Sequence, residues 1–421
     1  MGLAGRWFTR VACIACFLPC LARAGADSPQ VDRKIVMLPE HVVREQWPVL
    51  RNFVHVPAEF KQLEPGQCVR FAVTASGIGS DKLLREAKLS FEFSFSGKTQ
   101  TFAPEPVQAF KETTLITHDT LMKSFESVEA AKSLLLARYM AVSGAGWCAP
   151  AEAQDGTASV KGTLLTADGK TVTLERRSIE VMTFETARKH HAFKGLEALG
   201  EWTVHYHSAP DPAQLLPAIR MVARDQKLRD STNTMAFFVA ALKTDKPAAE
   251  EFMGKFRDEE RWVQLYSAAV LNWAGYPTQS LISGFSEQDK SLLQSVHLPD
   301  AYDMTPGSDI GARQDMLWGM FFATGRIEPV RAIASELAWG DDYIKYKKAV
   351  DAGEHLEWSD SLGRAAGYGA AGWSIGSLSQ QDTLVDDYVE ALKAAPDTPV
   401  AVKKELENLY KNPAFRGPGS N

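Results

Sequence analysis

Leu89-Ser90-Phe91-Glu92-Phe93-Ser94-Phe95 carries a large apolar side chain at every second position. An extended chain with that period turns the leucine and the phenylalanines to one face and the serines and glutamate to the other. That is the pattern of a strand with one packed face and one wet face. Outward from it, Gly97-Lys98 turns the chain into Thr99 to Phe102, and Gly66 precedes a second alternating run from Cys68 to Val73. Thr163 to Thr166 and Thr171 to Leu174 flank Asp168-Gly169, a pair that tolerates the positive φ of a tight antiparallel turn. Ile179 to Phe184 supplies a further strand. Period two dominates residues 35–185. Short strands with polar turns between them predict an antiparallel β-sandwich of immunoglobulin-like kind, interrupted by a helix over 124–138.

From about Thr186 the period changes to that of helices, and an all-α domain is expected over 187–412, with a loose tail at 413–421. Four apolar blocks recur: Met235 to Leu242, Leu265 to Leu271, Met316 to Thr324 and Ala370 to Leu378. The last two are followed by amphipathic stretches, Pro329 to Leu337 and Leu384 to Leu392, and so read as helical hairpins. Gly325 stands where a helix stop is wanted, and Pro329 where a new helix begins without losing a needed donor. The succession resembles the logic of tetratricopeptide and HEAT-type solenoids, although its periods are irregular and no repeat signature matches residue by residue.

The first 24 residues have the form of a cleavable signal peptide. Arg6 and Arg10 precede an apolar run from Val11 to Leu21, which is too short to span a bilayer, and Ala22-Arg23-Ala24 offers small residues at a peptidase site. Cleavage is expected after Ala24 or Ala26, giving a periplasmic or secreted protein. Cys13, Cys16 and Cys20 invite a lipoprotein reading, but Cys20 follows Pro19 and Cys16 has Cys13 where such sites favour leucine. Removing the segment leaves Cys68 and Cys148, one disulfide's worth, in the β domain of an exported chain. It also removes three arginines and no acid, taking the formal net charge from −6 to −9. An acidic chain without a basic stripe argues against nucleic acid as a partner.

No motif in the remaining chain has the specificity of a catalytic signature. Gly372-Trp373-Ser374-Ile375-Gly376 fits the nucleophile-elbow pattern, but helix-like sequence precedes it and no histidine follows. Gly367-Tyr368-Gly369-Ala370-Ala371-Gly372 fits the dinucleotide pattern without the strand that should lead into it, so close helix packing explains it more simply. His190, His191, His205 and His207 gather near Glu201 and Asp211. His205, His207 and Asp211 are the catalytic or metal-site candidates, because a strand would place both histidines on one face. No cofactor motif or established metal pattern supports them. Trp202, Trp262, Trp273, Trp318 and Trp373 lie in apolar helical contexts and read as core, with an exposed subset available to line a groove. The functional expectation is an exported binding protein. It would use a helical-array surface to engage another protein or an envelope component. The alternative is an exported hydrolase or metal-dependent enzyme built on the His190–Asp211 cluster.

Overall fold

Ile35-Val36-Met37-Leu38 is apolar at four successive positions, which a strand needs only when both of its faces are covered. In the computed structural model this run lies in β1 (Gln30–Pro39), and its side chains divide by parity. Ile35 and Met37 enter one hydrophobic core, while Leu38 enters another. β3 (Cys68–Ser76) repeats the division, with Phe71 and Val73 on the first side and Ala72 on the second. β7 (Arg138–Cys148) does so again through Ala141 against Met140 and Val142. The residues described are 30–39, 62–76, 80–106, 108–112, 138–190, 193–296, 298–303, 309–354, 356–357, 359–409 and 411. The expected signal segment, the expected helix up to residue 137, the tail from 413 and His191 lie outside them.

These strands belong to a four-stranded sheet of order β1-β3-β7-β6, with β6 at Gln108–Glu112 and every neighbour antiparallel. The second sheet contains β2 (Gln62–Leu63), β10 (Arg177–Val181), β8 (Gly156–Leu165), β4 (Lys88–Phe95) and β5 (Lys98–Pro106) in that order, with β9 (Thr171–Thr173) also paired to β8. Its pairings are antiparallel except β10 with β2. A short helix, α1 (Ser80–Arg85), links β3 to β4.

The quoted strand behaves as its period demands. Leu89, Phe91 and Phe93 are buried, and the Phe71 ring from the other sheet lies 4.9 Å from Phe91 and 5.7 Å from Phe93. On the wet face, Glu92 pairs with Lys161 across the strands. The turn into β5 is Ser96-Gly97, both with positive φ, one residue earlier than the sequence suggested. The hairpin through Gly169, at φ +79°, forms as expected. Cys68 and Cys148 are bonded and stand directly opposite each other on β3 and β7. The bridge therefore joins neighbouring strands of one sheet, and Trp147 stacks on Phe93, at 4.3 Å, beside it.

Strands end at Val181, and helices follow: α2 (Phe184–His190), α3 (Leu196–His205), α4 (Leu215–Arg224), α5 (Thr232–Thr244), α6 (Lys246–Lys255) and α7 (Arg261–Trp273). Then come α8 (Glu287–Ser295), α9 (Ile310–Thr324), α10 (Ile327–Ser335), α11 (Gly340–Asp351), α12 (Asp360–Gln381), α13 (Thr383–Ala394) and α14 (Val400–Glu407). The four apolar blocks fall within α5, α7, α9 and α12. Gly325 ends α9 in the left-handed conformation, and Pro329 sits in the first turn of α10, where its missing donor costs nothing. α5 and α9 approach closely because residue 319 is glycine: a Cβ there would stand 2.2 Å from the carbonyl oxygen of Asn233. Both glycine patterns noted above lie inside α12. Ser374 donates to the carbonyl of Ala371 within that helix, as an ordinary helical serine does. A Cβ on Gly367 would meet the Glu336 carboxylate at 2.6 Å, so this glycine serves packing.

The outward side of the four-stranded sheet shares its hydrophobic core with the helices. The chain is thus a mixed α/β protein in which the second sheet, the first sheet and the helices follow one another as layers.

Candidate binding groove

Trp262, Leu265, Tyr266, Ala269 and Trp273 fall at i, i+3, i+4, i+7 and i+11, and eleven positions bring a helix back to within about 20° of its starting direction. On α7 these side chains form one stripe about 16 Å long, with a tryptophan at each end. Its middle, with Leu265, Tyr266 and Ala269, is buried, as are Val263 and Val270 on its flank and Leu271 on the far side, so only the tryptophans at its two ends reach water. The stripe borders two cavities. The first, of about 410 Å³, lies between α7, α8 and the turn that leads into α5; it takes in Trp262, Leu265, Tyr266 and Ala269. The second, of about 450 Å³, is bordered by Trp273, Tyr302, Met316, Met320 and Lys243. Leu298 lines both, and α5 contributes Met235 to one and Val239 to the other. Both volumes suit small organic ligands or inserted side chains.

Four large apolar side chains on these walls remain exposed: Trp262 at 38%, Trp273 at 38%, Leu292 at 40% and Tyr302 at 44%. Trp262 is held by charge. Arg229 lies 4.1 Å from its ring centroid and Arg261 lies 4.9 Å away, while Arg261 is itself fixed by Asp289. Tyr266 is different in kind. Its ring is buried, its hydroxyl has no hydrogen-bond partner among the described residues, and burial raises its pKa. Solitary buried hydroxyls are uncommon because the lost hydration goes uncompensated.

The sequence candidates are not gathered into one place. His205 ends α3 on the surface and pairs with Glu201 one helical turn away, at 3.6 Å. His207 lies past the helix end and is buried, its ring 4.8 Å from Phe321 and its Nε2 3.1 Å from Asp382 Oδ2. The segment is helical up to His205, so the strand geometry that would align the two histidines is not formed. Burial opposes ionisation of Asp382, but His207 and the amides of Leu384 and Val385 overcome it and hold the carboxyl below its ordinary pKa. Asp382 also caps α13 through Oδ1, so this pair fastens α13 to the core. Among the described residues no group of three or more His, Cys, Asp or Glu side chains has the arrangement of a metal site.

Asp211 joins a cluster that sequence reasoning missed. Glu64, in the turn after β2, is buried and hydrogen-bonds Asp211, while its Oε2 accepts from the amide of Ala213. Burial, then the nearby Asp211 and Asp245 charges, push the Glu64 pKa well up, against the Ala213 amide. Asp245, which caps α6, is raised to about 6 by burial. Around this cluster Gln67 donates to the carbonyl of Pro210, and Gly66 lies against the Pro247 ring. The arrangement fastens the β layers to the helices. In a second buried cluster, Gln314 bridges the Glu336 carboxylate and the carbonyl of Gly367, and burial raises Glu336 to about 7.

Among the described residues no helix is long and apolar enough to cross a membrane. No family model and no curated protein matches the chain, so its function has to be argued from this geometry.

Proposed function

We propose that the protein is an exported binding protein, acting in the periplasm or after secretion, whose helical part takes its partner in the groove along α7. In this reading the β layers form an immunoglobulin-like sandwich that supports a solenoid-like helical array. The partner is another protein or a component of the envelope. The observation that carries the reading is the stripe from Trp262 to Trp273. It sets exposed aromatic rings beside two concave apolar walls, which distinguishes it from the singly exposed apolar side chains elsewhere on the surface, such as Ile344 and Trp373.

Photo-crosslinking tests this in cells expressing the whole chain. A benzophenone amino acid at Leu292 or at Trp273 is expected to give the same discrete adduct, in protein whose N-terminus begins at Gly25 or Asp27. The same label at Ile344, exposed on α11, is the control. Adducts that appear equally from Ile344, or none from either groove position, would sink the proposal.

A further inference from the structure

The first cavity has two chemically distinct ends. Toward Trp262 it is polar: Arg229, Ser231 and Thr232 line it, the last two being the N-cap and first residue of α5. The amides of Ser231 and Thr234 are already held, by the carbonyl of Leu228 and the Ser231 hydroxyl, so this terminus of a thirteen-residue helix contributes chiefly the positive end of its dipole. Arg229 uses Nη1 to hold the carbonyl of Ala223 at 3.0 Å, and its plane is set by Trp262. Its Nη2 has no hydrogen-bond partner among the described residues. The facing carboxylate, Asp230, stands 4.0 Å from Nε with two-thirds of its side chain in water. The other end is apolar, with Leu293, Val296 and Leu298 leading toward the second cavity and its Met316 and Met320. Tyr266 belongs to the wall between them, with its hydroxyl closed off from solvent.

Resting on the binding role proposed above, we infer that this site takes a long-chain carboxylate, with the carboxylate at Arg229 and the first turn of α5 and the chain running past Leu298. A planar guanidinium presents paired donors suited to a carboxylate, and the helix terminus adds to the same field. The two cavities on either side of Leu298 offer room for a chain longer than one amino-acid side chain. Methionines accommodate such a chain without a fixed shape. A peptide ending in a free carboxylate presents a similar head but only a single apolar side chain beside it.

Calorimetric titration of the mature protein with dodecanoate, dodecan-1-ol and an acetylated pentapeptide ending in free leucine tests the assignment. Dodecanoate is expected to bind saturably, one per chain, and at least about tenfold more tightly than the alcohol. Arg229→Gln is expected to remove most of that preference. Asp230→Asn is expected to strengthen it. Thermal melts establish that each variant is folded, and the comparison of acid with alcohol needs no variant at all. Equal affinity for the acid and the alcohol, binding that survives Arg229→Gln unchanged, or tighter binding of the pentapeptide than of dodecanoate would overturn the inference. Absence of dodecanoate binding, together with groove crosslinks to a protein partner, would overturn this inference and leave the binding role standing.

Discussion

At the scale of single residues, glycines separate into those that admit a neighbour and those that do not. Gly319 is of the first kind, since any Cβ would run into the backbone of α5 at Asn233 and Phe237. Backbone cannot swing aside as a side chain does, so α5 and α9 would have to part. Gly319→Ala is expected to lower stability by about 1–3 kcal/mol in urea unfolding. Gly254, on α6 with nothing near its missing Cβ, is the contrasting case. There the alanine is expected to add about 0.5–1 kcal/mol through helix propensity alone. If the two variants shift the midpoint alike, the tight crossing of α5 and α9 is wrong.

At the scale of elements, three carboxyls whose pKa values are raised by burial make the packing sensitive to pH. Glu64 at the β–helix seam, Asp245 at the start of α6 and Glu336 between α10 and α11 all have raised pKa values: Asp245 about 6, Glu336 about 7, and Glu64 well above its ordinary value. For an acid so raised, the folded chain holds a proton that the unfolded chain has released. Its contribution is therefore fully present below the ordinary carboxylate range and declines as pH rises through the folded value. Asp382 and Asp342 are lowered and act in the opposite sense, losing their contribution only as pH falls below about 4. The melting temperature is thus expected to be highest near pH 5 and to fall by several degrees toward pH 8. Glu336→Gln is expected to flatten that slope, and an unchanged pH profile in the variant would rule out Glu336 as a source.

The same scale shows what could be read from the chain in advance. Strands, hairpin turn, apolar helices and the Cys68–Cys148 pair follow from local period, turn chemistry and residue count. The stripe on α7 was also present at i, i+3, i+4, i+7 and i+11. What its spacing could not reveal was that packing covers Leu265, Tyr266 and Ala269 in the middle of the stripe and leaves Trp262 and Trp273 in water at its ends, because tryptophan in an apolar helix more often signals core. Glu64 and Asp211 lie 147 positions apart, and no local pattern links them. The gathering of histidines near position 205 was misleading for the same reason. His207 finds its partner at Asp382, far along the chain, and His205 faces solvent.

For the whole molecule, the disulfide closes a separation of 80 residues between strands that already pair. In the chain-entropy picture a loop of that length restrains the unfolded state by about 4–5 kcal/mol. Reduction, or replacement of both cysteines by alanine, is expected to lower the denaturation midpoint accordingly while leaving the folded far-ultraviolet spectrum intact. A midpoint that does not move on reduction would show that the bridge restrains little.

Because neighbouring residues of β3 serve different cores, the strand can be read in only one frame. One residue inserted before Phe71 would send the phenylalanine toward the helices and Ala72 toward the opposing sheet, spoiling two interiors with a single event. Substitutions of similar bulk are far better tolerated there than any change of length. Variation in length among descendants of this chain should therefore collect in turns such as the one at Gly169, and β1, β3 and β7 should keep a constant count of residues.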